Sequence, residues 1–209
     1  MYNFVTYIFI IILQFLSGSV MYSYILAKAK GINLRQIRDG NPGSTNLWRA
    51  AGFKWGFTAL LLDYSKGVFP LAFFSWNNSA NVTPFVICLA ALAAVAGHAF
   101  SPFLKFKGGK AVATTFGAWS ALTKWEAPIL LGTVFTLFSL WNKIKGKRKT
   151  TPEEDTLRVL IGFLVLFFYV VWRVFQGRFE LLILYAGNLG IILYKNRLEI
   201  KKLVQQKDG

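Results

Sequence analysis

Long apolar stretches alternate with short polar islands along the whole chain. Seven can be drawn, at about 4–27, 53–75, 82–100, 111–123, 126–141, 157–172 and 180–194. An α-helix rises about 1.5 Å per residue and a bilayer core is roughly 30 Å thick. The first three stretches are long enough to cross. The fourth and seventh are short and need flanking residues or a locally thinner bilayer, so six or eight spans stay open beside seven. The pattern predicts an all-α, polytopic integral membrane protein with about seven transmembrane helices, in a single membrane-embedded domain over 1–209. The first stretch, "FVTYIFIIILQFL" followed by Ser17-Gly18-Ser19, has the length of a signal-peptide core. No Lys or Arg precedes it and the apolar run continues to Ala27, so a retained first helix is expected.

Composition agrees, with 55% hydrophobic and 17% aromatic residues against about 45–50% apolar in soluble domains. A net charge of +15 on one soluble face would suggest nucleic acid, but here it follows topology. The islands 28–50, 101–110, 142–158 and 195–209 hold 5, 3, 6 and 5 Lys plus Arg, while 1–3 and 76–81 hold none, 124–125 one and 173–179 two. By the positive-inside rule the N-terminus lies outside and the C-terminus in the cytoplasm. All four basic islands then face the cytoplasm, where anionic substrates or headgroups are expected and nucleic acid is not. Cys88 is the single cysteine and His98 the single histidine. A disulfide framework is excluded, and neither a metal site nor a cofactor is expected.

Two islands carry candidate chemistry. In "GINLRQIRDGNPGSTNLWRAAG", residues 31–52, Gly40-Asn41-Pro42-Gly43 reads as a turn. Ser44, Thr45 and Asn46 read as a helix start with N-cap chemistry. Backbone N–H groups there suit phosphate, and Arg38 and Arg49 flank them as possible bidentate partners. An ordinary capped loop is the other reading. In "GHAFSPFLKFKGGKAVATTFG", residues 97–117, Lys105 and Lys107 alternate with Leu104 and Phe106. Gly108-Gly109 permits close backbone approach, and Lys110 opens a new helix. This is a phosphate site without P-loop spacing, or a surface loop meeting anionic lipid.

His98 ends an apolar helix at the same face and is a functional candidate, or packs against backbone. Position 103 is Phe, so His98 heads no H-x-x-x-x-D pair, and no G-x-S-x-G elbow appears. Asp63 and Lys66, three apart in an apolar run, read as a structural ion pair. The island at 142–158 reads as a solvated loop leading into a helix with Thr151 as cap, Pro152 at N1 and Glu153, Glu154 and Asp155 in the first turn.

"GNPGSTNLWR" at 40–49 and "GHAFSPFLKFKGGKAVAT" at 97–114 resemble the bacterial membrane glycerol-3-phosphate acyltransferases of the PlsY family. That family carries G-S-G-N-P-G-A/S-T-N and G-H-x-F-P-x-F-L-K-F-K-G-G-K-G-V-A-T. The resemblance covers about residues 1–140 well and the rest in outline. It implies acyl transfer from acyl phosphate to the 1-hydroxyl of glycerol 3-phosphate in phospholipid biosynthesis, releasing lysophosphatidic acid and phosphate. A monomer among membrane lipids is expected, in the bacterial plasma membrane with its active face cytoplasmic. It implies catalytic roles for Ser44, Asn46, His98 and Lys110. Phosphate contacts are expected from Arg38, Gly40, Asn41, Gly43, Thr45, Arg49, Lys105, Lys107, Gly108 and Gly109.

The chain departs from the pattern in three places. Arg38-Asp39 replace Gly-Ser in the first loop, the serine-bearing loop after the fifth span is missing from 142–158, and the C-terminal motif H-x-x-N-I-K/R-R-L is altered. There Asn196 stands for the histidine, Glu199 for the asparagine, and Lys202 follows within the same segment. An acid beside two phosphorylated substrates weakens their binding. The chain is therefore an enzyme of altered preference or a paralogue that binds phosphorylated lipid precursors without turnover. An anion channel would need charge deep in several helices, and only Asp63, Lys66 and His98 qualify even loosely.

Overall fold

A computed structural model describes residues 4–76, 82–147 and 149–205. Of the loops expected on the outer face, 1–3 and 77–81 lie outside the described residues, as do Arg148 and Lys207 of the basic islands. Among the described residues the regular structure is helical, with no strand. In chain order the helices are α1 (Phe4–Ser19), α2 (Tyr22–Ala29), α3 (Ser44–Ala51), α4 (Phe53–Val68), α5 (Leu71–Trp76), α6 (Pro84–Ala99), α7 (Val112–Thr123), α8 (Glu126–Ile144), α9 (Pro152–Phe175), α10 (Leu181–Lys195) and α11 (Arg197–Gln205).

Every one of the seven apolar stretches falls on helix. Among the described residues four helical stretches are long and apolar enough to cross a membrane, namely Phe4–Ala29, Pro84–Leu104, Glu126–Ile144 and Pro152–Phe175, and Leu181–Lys195 is a shorter apolar helix. Two stretches expected to run unbroken do not. The first breaks at Val20–Met21, between α1 and α2, and the second at Phe69–Pro70, between α4 and α5, where proline offers no amide to continue the ladder. The Val20 carbonyl freed by the first break accepts from the Lys66 ammonium. Non-helical backbone is tolerated at such depth when protein satisfies it.

Small residues set the packing. α6 is the central helix, and its Ala90, Ala91, Ala94, Val95 and Ala99 are fully buried. A Cβ added at Gly18 of α1 would stand 2.1 Å from the Ala94 carbonyl oxygen, and one at Gly97 would stand 2.2 Å from that of Phe15. The pair Gly67 and Gly117 does the same between α4 and α7, at 2.4 Å from the Thr114 oxygen and 2.1 Å from the Tyr64 oxygen. Such close backbone approach substitutes for the hydrophobic drive that lipid cannot supply. Hydrogen bonds between helices add direction. Trp119 donates to Asn188 Oδ1 at 3.2 Å, and Asn188 Nδ2 donates to Thr115 at 3.0 Å, tying α10 to α7. This rigid bundle delivers the ends of α4, α6, α7, α9 and α10 to one face.

Candidate active site

The first polar loop is held by one side chain. Asn46, buried in the first turn of α3, donates through Nδ2 to the Ile37 carbonyl (3.0 Å), the Asn41 carbonyl (2.9 Å) and Asp39 Oδ1 (2.8 Å). The expected side-chain cap is not made. Gly43 is the N-cap residue, with no side-chain capping bond, and Ser44 is the first helical residue. The amides opening α3 are therefore left without a side-chain partner. Gly40 carries the turn at φ +67°, a left-handed conformation that glycine adopts freely. Arg35 joins this loop to the next, donating to the Gly40 carbonyl at 3.2 Å and to the Lys107 carbonyl.

The second loop folds back on α6. Gly109 N–H donates to the His98 carbonyl at 3.1 Å. A Cβ at Gly108 would stand 2.0 Å from that same oxygen, and one at Gly109 would stand 2.4 Å from His98 Nε2. Both glycines are buried and seat the loop on the histidine. Lys195, at the end of α10, donates to the carbonyls of Ala99 (2.9 Å) and Gly108 (3.0 Å). Lys105 and Lys107 are exposed and line neither of the two cavities described below.

Lys110 turns inward. Its ammonium lies 2.9 Å from Asp39 Oδ2 and 2.8 Å from Glu199 Oε1. The acids at two positions of departure, one in the first loop and one in α11, thus meet on one lysine. The expectation that they repel phosphate treated them as unpaired charges. Both bond the one Lys110 ammonium, so neither stands unpartnered in the site, and the ground for the inactive-paralogue reading is weaker for it. Burial works to raise the Asp39 carboxyl. The Lys110 charge and hydrogen bond, the Asn46 amide and Arg38 outweigh it and hold the group below the usual carboxylate range. A depressed folded-state pKa stabilises the protein fully above the unfolded value of about 3.9 and loses that stabilisation as pH falls through the folded one. Asp39→Asn should therefore unfold at lower temperature than the parent at pH 7, and the gap should close progressively as pH falls below about 4. Thermal unfolding across that range checks it.

Below the loops lies a buried network. Asp63 Oδ1 pairs with Lys66 at 2.8 Å, as the spacing predicted, and Oδ2 accepts from Ser23 at 2.7 Å. Thr114 donates to the Asp63 carbonyl at 3.0 Å and stands 3.1 Å from His98 Nδ1. With the Thr114 proton committed to that carbonyl, the imidazole donates from Nδ1 and keeps Nε2 as an acceptor.

The island at 142–158 contributes more than a solvated loop. Thr151 caps α9 with Pro152 at the first helical position, as the sequence predicted, and Glu154 completes a capping box. One turn on, Asp155 Oδ2 accepts from Arg38 at 2.7 Å, and Oδ1 accepts from Thr150 at 2.9 Å and lies 3.3 Å from Arg158. Thr156 donates to Asn196 Oδ1 at 3.0 Å, and Asn196 Nδ2 donates to the Ile192 carbonyl at 2.8 Å. Lys202 reaches Glu153 at 3.3 Å. Arg49 donates to the Thr150 carbonyl at 2.8 Å.

These residues enclose a polar cavity of about 90 Å³. Arg38, Asn46, His98, Lys110, Arg158 and Asn196 line it, so four islands of sequence converge there. It opens into a groove of about 980 Å³ between α4, α7, α8 and α9, floored by Leu60, Leu61, Phe116 and Phe135. Ser44, Thr45, Val112, Ala113, Asp155 and Arg158 belong to both, whereas Arg49 lines the groove alone. Asp39, Asp63, Asp155 and Arg158 of this site were not among the candidates drawn from motifs. The only local signal for the last two was a dense mixture of opposite charges at a helix start.

A membrane-embedded bundle with a phosphate-sized polar cavity opening into an apolar groove defines a lipid-handling transferase class. Residues 8–206 match the model of the glycerol-3-phosphate acyltransferase family, and the chain belongs to that family. It is 64% identical over 197 residues to glycerol-3-phosphate acyltransferase 1 of Thermotoga maritima, covering 94% of this chain and 97% of that one. It is 31% identical over 200 residues to the glycerol-3-phosphate acyltransferase of Endomicrobium trichonymphae, covering 95% and 92%. The crystal structure of PlsY (YgiH), an integral membrane glycerol 3-phosphate acyltransferase, in its glycerol 3-phosphate form superimposes with a TM-score of 0.78 at 28% identity, covering 96% of this chain and 93% of that one. Its lysophosphatidic acid form gives 0.76.

Proposed function

We propose that this protein is a glycerol-3-phosphate 1-O-acyltransferase of phospholipid biosynthesis that takes its acyl group from acyl phosphate. The observation that carries the reading is the junction of the two cavities. An acyl phosphate is an apolar tail ending in a dianion, and the groove of about 980 Å³ leads to the polar cavity through shared Ser44, Thr45, Asp155 and Arg158. The acceptor hydroxyl attacks the acyl carbon and forms the new ester C–O bond. The bond from that carbon to the phosphate oxygen breaks, and the hydroxyl proton leaves on the released phosphate. A mixed anhydride has a good leaving group, so positioning and charge neutralisation supply most of the rate. The amides opening α3 and the Ser44 hydroxyl are the groups proposed to orient the hydroxyl, with His98 beneath the second loop as its support. No cofactor enters the scheme.

The protein works as a monomeric single domain of seven membrane spans. The line α1–α2 forms the first, α4–α5 the second, and α6 to α10 the other five. Its N-terminus lies outside and its C-terminus in the cytoplasm, which puts the cavity at the cytoplasmic face of the bacterial plasma membrane. The test supplies purified protein with palmitoyl phosphate and glycerol 3-phosphate and follows phosphate and lysophosphatidic acid together. Equal release of both is expected. Phosphate release without lysophosphatidic acid, or no turnover where the Thermotoga maritima relative turns over, rejects the reading.

A further inference from the structure

Two clusters of charge meet at the polar cavity, and they are not balanced alike. In one, Lys110 is shared by Asp39 and Glu199, two carboxylates on a single ammonium. In the other, Arg38 and Arg158 share the one carboxylate of Asp155. The Lys110 cluster therefore carries surplus negative charge and the α9 cluster surplus positive charge. An incoming phosphate is drawn to the second.

Within that cluster Arg158 holds the reserve. Asp155 binds Arg38 at 2.7 Å and Thr150 at 2.9 Å, and its contact to Arg158 is the longest, at 3.3 Å. Arg158 Nε is buried and finds no hydrogen-bond partner among the described residues. A buried donor without a partner costs free energy, and a ligand that accepts from it recovers that cost. The guanidinium carbon stands 4.6 Å from the centre of the Phe135 ring, and Phe135 lines the apolar groove. Arg158 itself lines both cavities. An anion held there sits where a chain lying along Phe135 and Phe116 would end.

We infer that Arg158, supported by Arg38 and Asp155, binds the phosphate of the acyl phosphate donor. The inference rests on the acyl-transfer reading for its substrate, and the measurement below keeps the two apart.

Dodecyl phosphate has the tail and the phosphate but no acyl group to transfer, so its binding is independent of turnover. The parent protein should bind it saturably. Arg158→Gln should weaken that binding about tenfold or more, the size expected for losing charge-assisted hydrogen bonds. The Michaelis constant for palmitoyl phosphate should rise in parallel, while that for glycerol 3-phosphate stays within about twofold. Arg158→Lys keeps the charge but loses the fork and should fall between. It also serves if the glutamine variant does not fold, which thermal unfolding reports. Unchanged dodecyl phosphate affinity in the folded variants overturns the inference, as does a rise confined to the glycerol 3-phosphate constant. If the parent binds dodecyl phosphate through Arg158 yet transfers no acyl group, the acyl-transfer reading fails and the phosphate site stands.

Discussion

Lys110→Met is expected to lower kcat/KM for glycerol 3-phosphate by about 10²- to 10³-fold, the range seen when one preorganised charge-stabilising donor is removed. The reason is what the lysine leaves behind. Asp39 and Glu199 both bond it, and both side chains are largely buried, at 10% and 11% exposure. Removing the shared cation leaves two carboxylates facing each other beside the polar cavity, where they would repel a phosphorylated substrate. Breaking a buried pair from one side leaves an uncompensated charge, at a cost of about 3–5 kcal/mol. The same change loosens the tie between the second loop and α11. Lys110→Met combined with Glu199→Gln removes one stranded charge. It should recover part of the lost thermal stability and part of the rate. A single variant with parental kcat/KM would show that Lys110 only fills space.

The helices were legible because a bilayer imposes a length and an apolar composition that the chain displays openly. Seven apolar stretches became helix without exception. The breaks at Val20–Met21 and Phe69–Pro70 were less visible, because the first is satisfied by Lys66 from a distant helix. The loops of the site were legible for a different reason. Gly40, Gly43, Gly108 and Gly109 mark turns and close approaches, and Ser44, Asn46 and Lys110 follow them directly. The structure brings Ser44, Asn46, His98 and Lys110 to one cavity. Lys105 and Lys107 were placed on a phosphate by their charge and spacing, yet they face outward. Gly108 and Gly109 pack on His98, so their smallness serves the loop's seat.

Charge pairing was the part that the sequence concealed. Lys110 and Glu199 stand 89 residues apart and Arg38 and Asp155 117 apart, and no local pattern announces such partners. Read singly, Asp39 and Glu199 looked like damage to a phosphate site. In the fold they are one half of a division of labour. The carboxylates fix Lys110 and the loops it joins, while Arg158 keeps an Nε without a partner for an anion. The island at 142–158 is tied into the fold in the same way, through Asp155 to Arg38 and Glu153 to Lys202.

Asn46→Ala should lower kcat by about 10²-fold, the cost of a misplacement of about 1 Å at a positioned site. It should also remove about 2–3 kcal/mol of stability, because buried acceptors lose their donor. One amide supplies the carbonyls of Ile37 and Asn41 and the carboxylate of Asp39. Without it the turn that presents the α3 amides has no internal anchor, and Asp39 loses one of the bonds that align it on Lys110. Asn46→Asp separates bonding from packing. Its shape is nearly the same, but it donates nothing and sets a second carboxylate 2.8 Å from where Asp39 Oδ1 lies. If donation is what matters, the aspartate variant falls at least as far as the alanine one in both rate and unfolding temperature. An aspartate variant with near-parental kcat would mean that Asn46 works by filling its pocket. The loop would then owe its shape to Gly40 and Arg35 alone.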